Sequence, residues 1–223
     1  MFLHRIVAIA LTATLLISCS SAQINDEVGT SLEVNVNSYA RDKEKTGIVL
    51  LDANWGRKWG CGKYENAQLI SFSFDKVSTD LKTTSQTSDV TVGTSKRLMV
   101  KPTFESYALQ LSPGEYVLSN FKIKVATSVS NVDYWIANRA HLIKDGKALA
   151  GKFTVAAGEV VYIGNFGLDC FQGPSLWRYY TEGNDGFKKQ LADYQSKYPY
   201  LDLTKSKFRL FETTTIGRPY ELK

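Results

Sequence analysis

Residues 153–170, F-T-V-A-A-G-E-V-V-Y-I-G-N-F-G-L-D-C, constrain the fold of this chain more than any other stretch. Phe153 and Val155 alternate with polar or small neighbours, as a half-buried strand requires. Ala157-Gly158-Glu159 supplies a turn in which Gly158 is free to take positive φ. Val160, Val161, Tyr162 and Ile163 then form an unbroken β-branched and aromatic run, the pattern of a strand buried on both faces. An echo one residue shorter, G-E-Y-V-L-S-N-F, lies at 114–121. The pair reads as two β-hairpins sharing turn chemistry, or as a structural repeat.

The same alternation and punctuation recur along the chain. Residues 32–37 alternate strictly and predict a strand, 39–46 are charged and loop-like, and 47–51 predict a short apolar strand. Residues 54–64, N-W-G-R-K-W-G-C-G-K-Y, predict an irregular loop. Ile70, Phe72 and Phe74 mark a strand, and 78–96, with ten Ser or Thr in nineteen residues, an exposed hairpin or long loop. Residues 97–100, 104–111 and 116–125 are strand-like, with Ser112-Pro113-Gly114 as a turn. Residues 133–143 have no single period, and Lys144-Asp145-Gly146-Lys147 is a hairpin signal. After Cys170 the period changes: Phe187, Leu191, Tyr194 and Tyr198 recur at i, i+4, i+7 and i+11, one stripe of a helix near 185–198. Asn184 or Asp185 is placed to cap it, Pro199 stops it, and 208–214 offer a last strand. The expected class is mostly β: an antiparallel β-sandwich with one C-terminal α-helix, residues 30–223 forming a single domain.

The N-terminal segment has a different character. His4 and Arg5 precede a 12-residue apolar stretch at 6–17, the length of a secretory signal and too short for a membrane span. Leu16-Ile17-Ser18-Cys19 then resembles the lipobox of bacterial lipoproteins. The resemblance implies a signal peptide at 1–18, cleavage before Cys19, acylation of Cys19 (diacylglycerol and a palmitate-type chain), and a tether at 19–29. The plainer alternative is an ordinary secreted protein cut near Ala22. Ser20, where the enterobacterial family places Asp for inner-membrane retention, implies the outer membrane with the domain on the periplasmic face. Further along, the leucine-rich approach to P-G-E-Y at 113–116, A-G-E-V-V-Y-I-G at 157–164 and the helix ending at Tyr198-Pro199 resemble uncharacterised bacterial lipoproteins with a prealbumin-like β-sandwich, over residues 70–200. That family has no chemistry to carry over.

With Cys19 acylated, Cys61 and Cys170 remain, and an even pair in an exported chain points to a disulfide; two buried free thiols are the alternative. Removing 1–18 takes away one charged residue, Arg5, so the remaining balance is 26 − 22 = +4. The basic residues are dispersed in runs no longer than two, which argues against nucleic acid as a partner.

Catalytic and cofactor signatures are absent. His141 is the only histidine outside the signal, so a two-histidine metal site within one chain is excluded, and no G-x-S-x-G elbow exists. No P-loop or dinucleotide fingerprint occurs, and no cofactor is expected. Asp133, Glu159 and Asp169 are the carboxylates that a glycan hydrolase would need to bring together. The aromatic loop is the stronger lead: Trp55, Arg57, Trp59 and Tyr64 surround Cys61 and suit stacking on a sugar ring or a polar partner. The competing expectation is that these rings pack over the disulfide. The leading reading is a non-enzymatic interaction or assembly module at the envelope, with an envelope protein or glycan as its partner.

Overall fold

The computed structural model describes residues 30–77, 88–94, 104–145, 147–180 and 182–222. In chain order they form α1 (Val36–Asp42), β1 (Gly47–Asn54), β2 (Lys58–Cys61), β3 (Tyr64–Lys76), β4 (Val90–Gly93), β5 (Phe104–Leu111), β6 (Gly114–Ala126) and β7 (Val132–Ala137). There follow α2 (Arg139–Leu142), β8 (Ile143–Lys144), β9 (Lys147–Ala148), β10 (Lys152–Val155), β11 (Val160–Asp169), β12 (Ser175–Tyr179), α3 (Gly183–Lys197) and β13 (Lys207–Phe208). The predicted Cys19 anchor and the strand at 97–100 lie outside the described residues, as does most of the Ser/Thr-rich stretch.

The strands make a β-sandwich. Sheet A runs β12-β11-β1-β5, with β13 also on β11; sheet B runs β10-β6-β3-β2, with β4 on β3 and β7 on β6. Pairing is antiparallel except β1 with β11 and β11 with β13. Between the sheets lies an aromatic core: Phe166 stacks on Phe72 at 5.0 Å, Phe153 meets Phe74 edge-on at 5.1 Å, and Phe211 reaches Phe166 at 5.7 Å. These distances are those of favourable offset and edge-to-face ring pairs. A third layer covers sheet A from outside. The predicted stripe of α3 supplies it: Phe187, Leu191, Tyr194 and Tyr198 pack over Ile48, Leu50, Val160 and Tyr162. With helices on one face and a second sheet on the other, the 160–163 run is buried on both sides, as its composition demands.

Three local expectations are corrected. Residues 32–37 contribute only a single bridge, Glu33 to Leu109, before the chain turns into α1. Asn35 explains this: its side chain accepts from the Asn37 and Ser38 N–H groups while Ser38 Oγ accepts from the Asn35 N–H, a capping box that starts a helix where alternation suggested a strand. Helix α3 begins at Gly183 behind Glu182, without a side-chain cap, so Asn184 and Asp185 lie within its first turn. Finally, neither Gly-Glu turn closes a hairpin. Gly158, at φ +68, carries the chain from β10 in sheet B to β11 in sheet A, and Pro113-Gly114 carries it from β5 in sheet A to β6 in sheet B. The sequence echo therefore marks two crossings between sheets. Turn chemistry gives the reversal but not the pairing partner, which the facing apolar rows decide.

Candidate functional site

The disulfide fixes the region. Cys61 and Cys170 are bonded, with Cα atoms 4.8 Å apart, within the range such a bridge allows. Cys61 ends β2 in sheet B and Cys170 follows β11 in sheet A, so the bridge ties the two sheets together at one end. The stretch expected to be an irregular loop is instead partly a strand. β2 turns at Gly62 (φ +61) and pairs with the start of β3, Cys61 opposite Tyr64 and Trp59 opposite Asn66.

That register separates the two tryptophans. Trp55 leaves β1 pointing into the inter-sheet core and is fully buried. Its indole N–H donates to the Tyr107 hydroxyl at 2.8 Å, and its ring stacks on Phe72 at 5.8 Å. Trp55 is therefore corrected from ligand contact to core residue: every polar and apolar part of it is already occupied. Tyr64 packs against the same core, with Lys63 Nζ 5.4 Å from its ring. Trp59 has the opposite fate. It is 62% exposed on the outer face of sheet B, and the Arg57 guanidinium lies 5.6 Å from its ring centroid.

Pairing extends this outward row across the sheet. Trp59 faces Asn66, Asn66 faces Ala126, and Ala126 faces Val132, so strands β2, β3, β6 and β7 each contribute one residue. The next row is Gln68, Lys124 and Tyr134, with the Lys122 ammonium 4.0 Å from the Tyr134 ring. Except for Tyr134, these rows line a shallow groove of about 270 Å³ together with Arg57, Glu65, Ser128 and the 98% exposed Val129. Gln68 is its polar floor. The residue is 2% exposed, and its Nε2 donates to the Trp55 carbonyl at 3.0 Å. Its Oε1 is buried with no donor among the described residues. A buried carbonyl left unpaired costs about 1–3 kcal/mol, a cost the fold carries beneath the groove. Of the four residues foreseen, Arg57 and Trp59 line this groove. Asn66, Gln68, Lys124 and Val132 went unrecognised because only strand register brings them beside Trp59.

Of the three carboxylates named for hydrolysis, Glu159 and Asp169 do not converge. Glu159 precedes β11 and Asp169 ends it, about 30 Å apart for ten extended residues. Burial alone would raise the Glu159 carboxyl, but Arg209, the Ala156 N–H and Lys207 together hold it down at about 2. It is therefore ionised at neutral pH. Asp133 is exposed on β7 and accepts from the Tyr134 N–H at 2.7 Å. His141 closes the capping box of α2, its Nδ1 accepting from the Asn138 N–H at 3.4 Å. Among the described residues no group of three or more His, Cys, Asp or Glu is arranged to hold a metal.

The buried carboxylate of Asp52 was not foreseen. Asp52, on the outer face of β1, lies under α3 and accepts from Ser106 Oγ at 2.5 Å, Tyr194 OH at 3.1 Å and Gln190 Nε2. Gln190 Nε2 also donates to Asn165 Oδ1 at 3.0 Å. Burial raises the Asp52 carboxyl from its ordinary 3.8 to about 6, even against these hydrogen bonds. Only 2% of the residue is exposed, so it joins helix to sheet and offers no surface to a substrate. Compared with known proteins, the chain matches no family model, no curated protein and no solved structure.

Proposed function

We propose that this chain is a lipid-anchored protein of the bacterial envelope, held at the outer membrane through Cys19, that acts as a non-catalytic binding module on the periplasmic side. Its binding surface is the open face of sheet B around Trp59. The observation that carries the reading is the exposed Trp59 ring, with the Arg57 guanidinium beside it, on the wall of a groove. A hydroxyl-rich ring suits that arrangement: its C–H face stacks on Trp59, and its hydroxyls meet the polar side chains of Arg57 and Asn66. An envelope glycan has both features. The lipobox at 16–19 supports the anchoring part of the reading, since several acyl chains give stable membrane attachment.

Two experiments test it. Purified envelope glycan is expected to co-sediment with the wild-type chain and not with Trp59→Ala; equal sedimentation of both removes the assigned surface. Cys19→Ala is expected to move the protein from the outer-membrane fraction to the soluble fraction and to abolish labelling by palmitate. A variant that stays in the membrane would refute the anchor.

A further inference from the structure

Arg178 carries a second, independent reading. It lies on β12 and is 3% exposed, yet among the described residues no carboxylate pairs with it. Its Nη2 donates to the Arg218 carbonyl at 2.6 Å, and its buried Nε–H has no acceptor. A guanidinium remains charged in a protein, and a buried charge without a partner costs several kcal/mol. The fold nevertheless makes room for it. Along the outer edge of β11, β13 pairs with residues 161–162 and β12 with 165–169, and Gly164 sits in the gap. At Gly164 (φ +111) an added Cβ would come within 2.8 Å of Arg178 Cδ; at Gly217 it would lie 3.2 Å from Arg178 Nε. Two positions without side chains thus house the arginine.

Arg178 opens on a cleft of about 670 Å³ between this edge and the C-terminal segment. Arg209 lines the same cleft. Its Nη atoms are engaged by Glu159 and the Thr154 carbonyl, but its Nε–H is also buried without an acceptor. The walls are apolar, from Phe208, Leu210, Tyr220 and Leu222. The carboxylates of Glu212 and Glu221 border the cleft as well, which disfavours a ligand of high negative charge.

We infer that this cleft binds a small amphipathic carboxylate, its headgroup pairing with the Arg178 guanidinium and its apolar body lying along the aromatic wall. The volume is that of a small-molecule site and exceeds what a bare ion would fill. The carboxylate supplies the counter-charge that the chain withholds from Arg178, and a planar carboxylate matches the guanidinium geometry.

The test is calorimetric titration of the detergent-solubilised full chain with hexanoate, with hexanol as the uncharged control and inorganic phosphate as the bare anion. Saturable hexanoate binding is expected, weaker by at least about tenfold in Arg178→Gln, as loss of a charge-assisted hydrogen bond predicts. Hexanol and phosphate should each bind at least about tenfold more weakly than hexanoate. Absence of hexanoate binding, equal binding by the variant, or equal binding of either control overturns the assignment. Should Arg178→Gln fail to fold, the wild-type Arg178 Nε–H resonance in a ¹⁵N NMR titration decides: a shift with hexanoate and not with hexanol supports the site, and an unmoved resonance refutes it.

Discussion

On the outer side of sheet A, α3 lays Phe187, Leu191, Tyr194 and Tyr198 over the strand residues, and even the buried carboxylate of Asp52 finds three donors. On the outer side of sheet B, the row from Trp59 through Asn66 and Ala126 to Val132 has no such layer among the described residues, and Gln68 Oε1 has no donor. Both rows arise from the same alternation of side chains along strands. In the first, aromatic area and polar groups are consumed within the fold. In the second they remain available, at the end of the molecule where Cys61–Cys170 clamps the sheets. Rigid support beneath an uncovered surface is what a preorganised binding face needs.

The largest expected effect comes from the clamp. Replacing Cys61 and Cys170 by Ser should lower unfolding free energy by about 4–5 kcal/mol, since the bridge closes a loop of sequence separation 109. Hydrogen exchange should show β2 and the start of β3 losing protection before α3 does. Early loss at α3 instead would erase the contrast between the two faces.

Next is the covered face. A carboxyl raised to about 6 in the fold from 3.8 takes up a proton on folding between those values. Stability from this group is therefore greatest below about pH 4, falls as pH rises through 6, and stays lower above it, a swing of about 3 kcal/mol. The stability of Asp52→Asn relative to wild type should climb by about that amount from pH 4 to pH 7 in urea unfolding. A flat difference would mean that Asp52 is better solvated than its position under α3 implies. Glu159, held down at about 2, acts the other way: its contribution is present above about pH 4.5 and is lost as pH falls toward 2, and it cancels in the comparison of the two proteins.

A smaller effect is expected at the floor of the open face. Gln68→Met removes the donor to the Trp55 carbonyl and should cost about 1–2 kcal/mol. Urea unfolding checks this, and an unchanged midpoint would mean that the Gln68 bond to the Trp55 carbonyl contributes nothing to stability.

How legible these faces were differs by physical cause. The covered face was readable: the Phe187, Leu191, Tyr194 and Tyr198 stripe is periodic and the Val160–Ile163 run is unbroken, and each pattern reports burial within one segment. The open face was half readable. Gly and Trp density drew attention to 54–64, but nothing local distinguishes Trp55 from Trp59. The distinction comes from Trp55 continuing the inward alternation of β1 and Trp59 joining β2, a matter of pairing. Asn66, Gln68, Lys124 and Val132 are ordinary strand residues until register aligns them. Asp52 sat in an apolar segment whose partner, Gln190, is 138 positions away. Asn35 shows the converse, since one capping side chain overrode a strict strand pattern.

The most direct measurement compares Trp59→Ala with wild type by titration with soluble envelope glycan fragments and by urea unfolding on the same samples. Trp59 is 62% exposed, so its loss should leave stability within about 0.5 kcal/mol. Affinity should fall at least about tenfold, as removal of a stacking platform predicts. Unchanged affinity at unchanged stability, or no glycan binding by the wild type, would contradict the claim that the uncovered face of sheet B is the working surface of this protein.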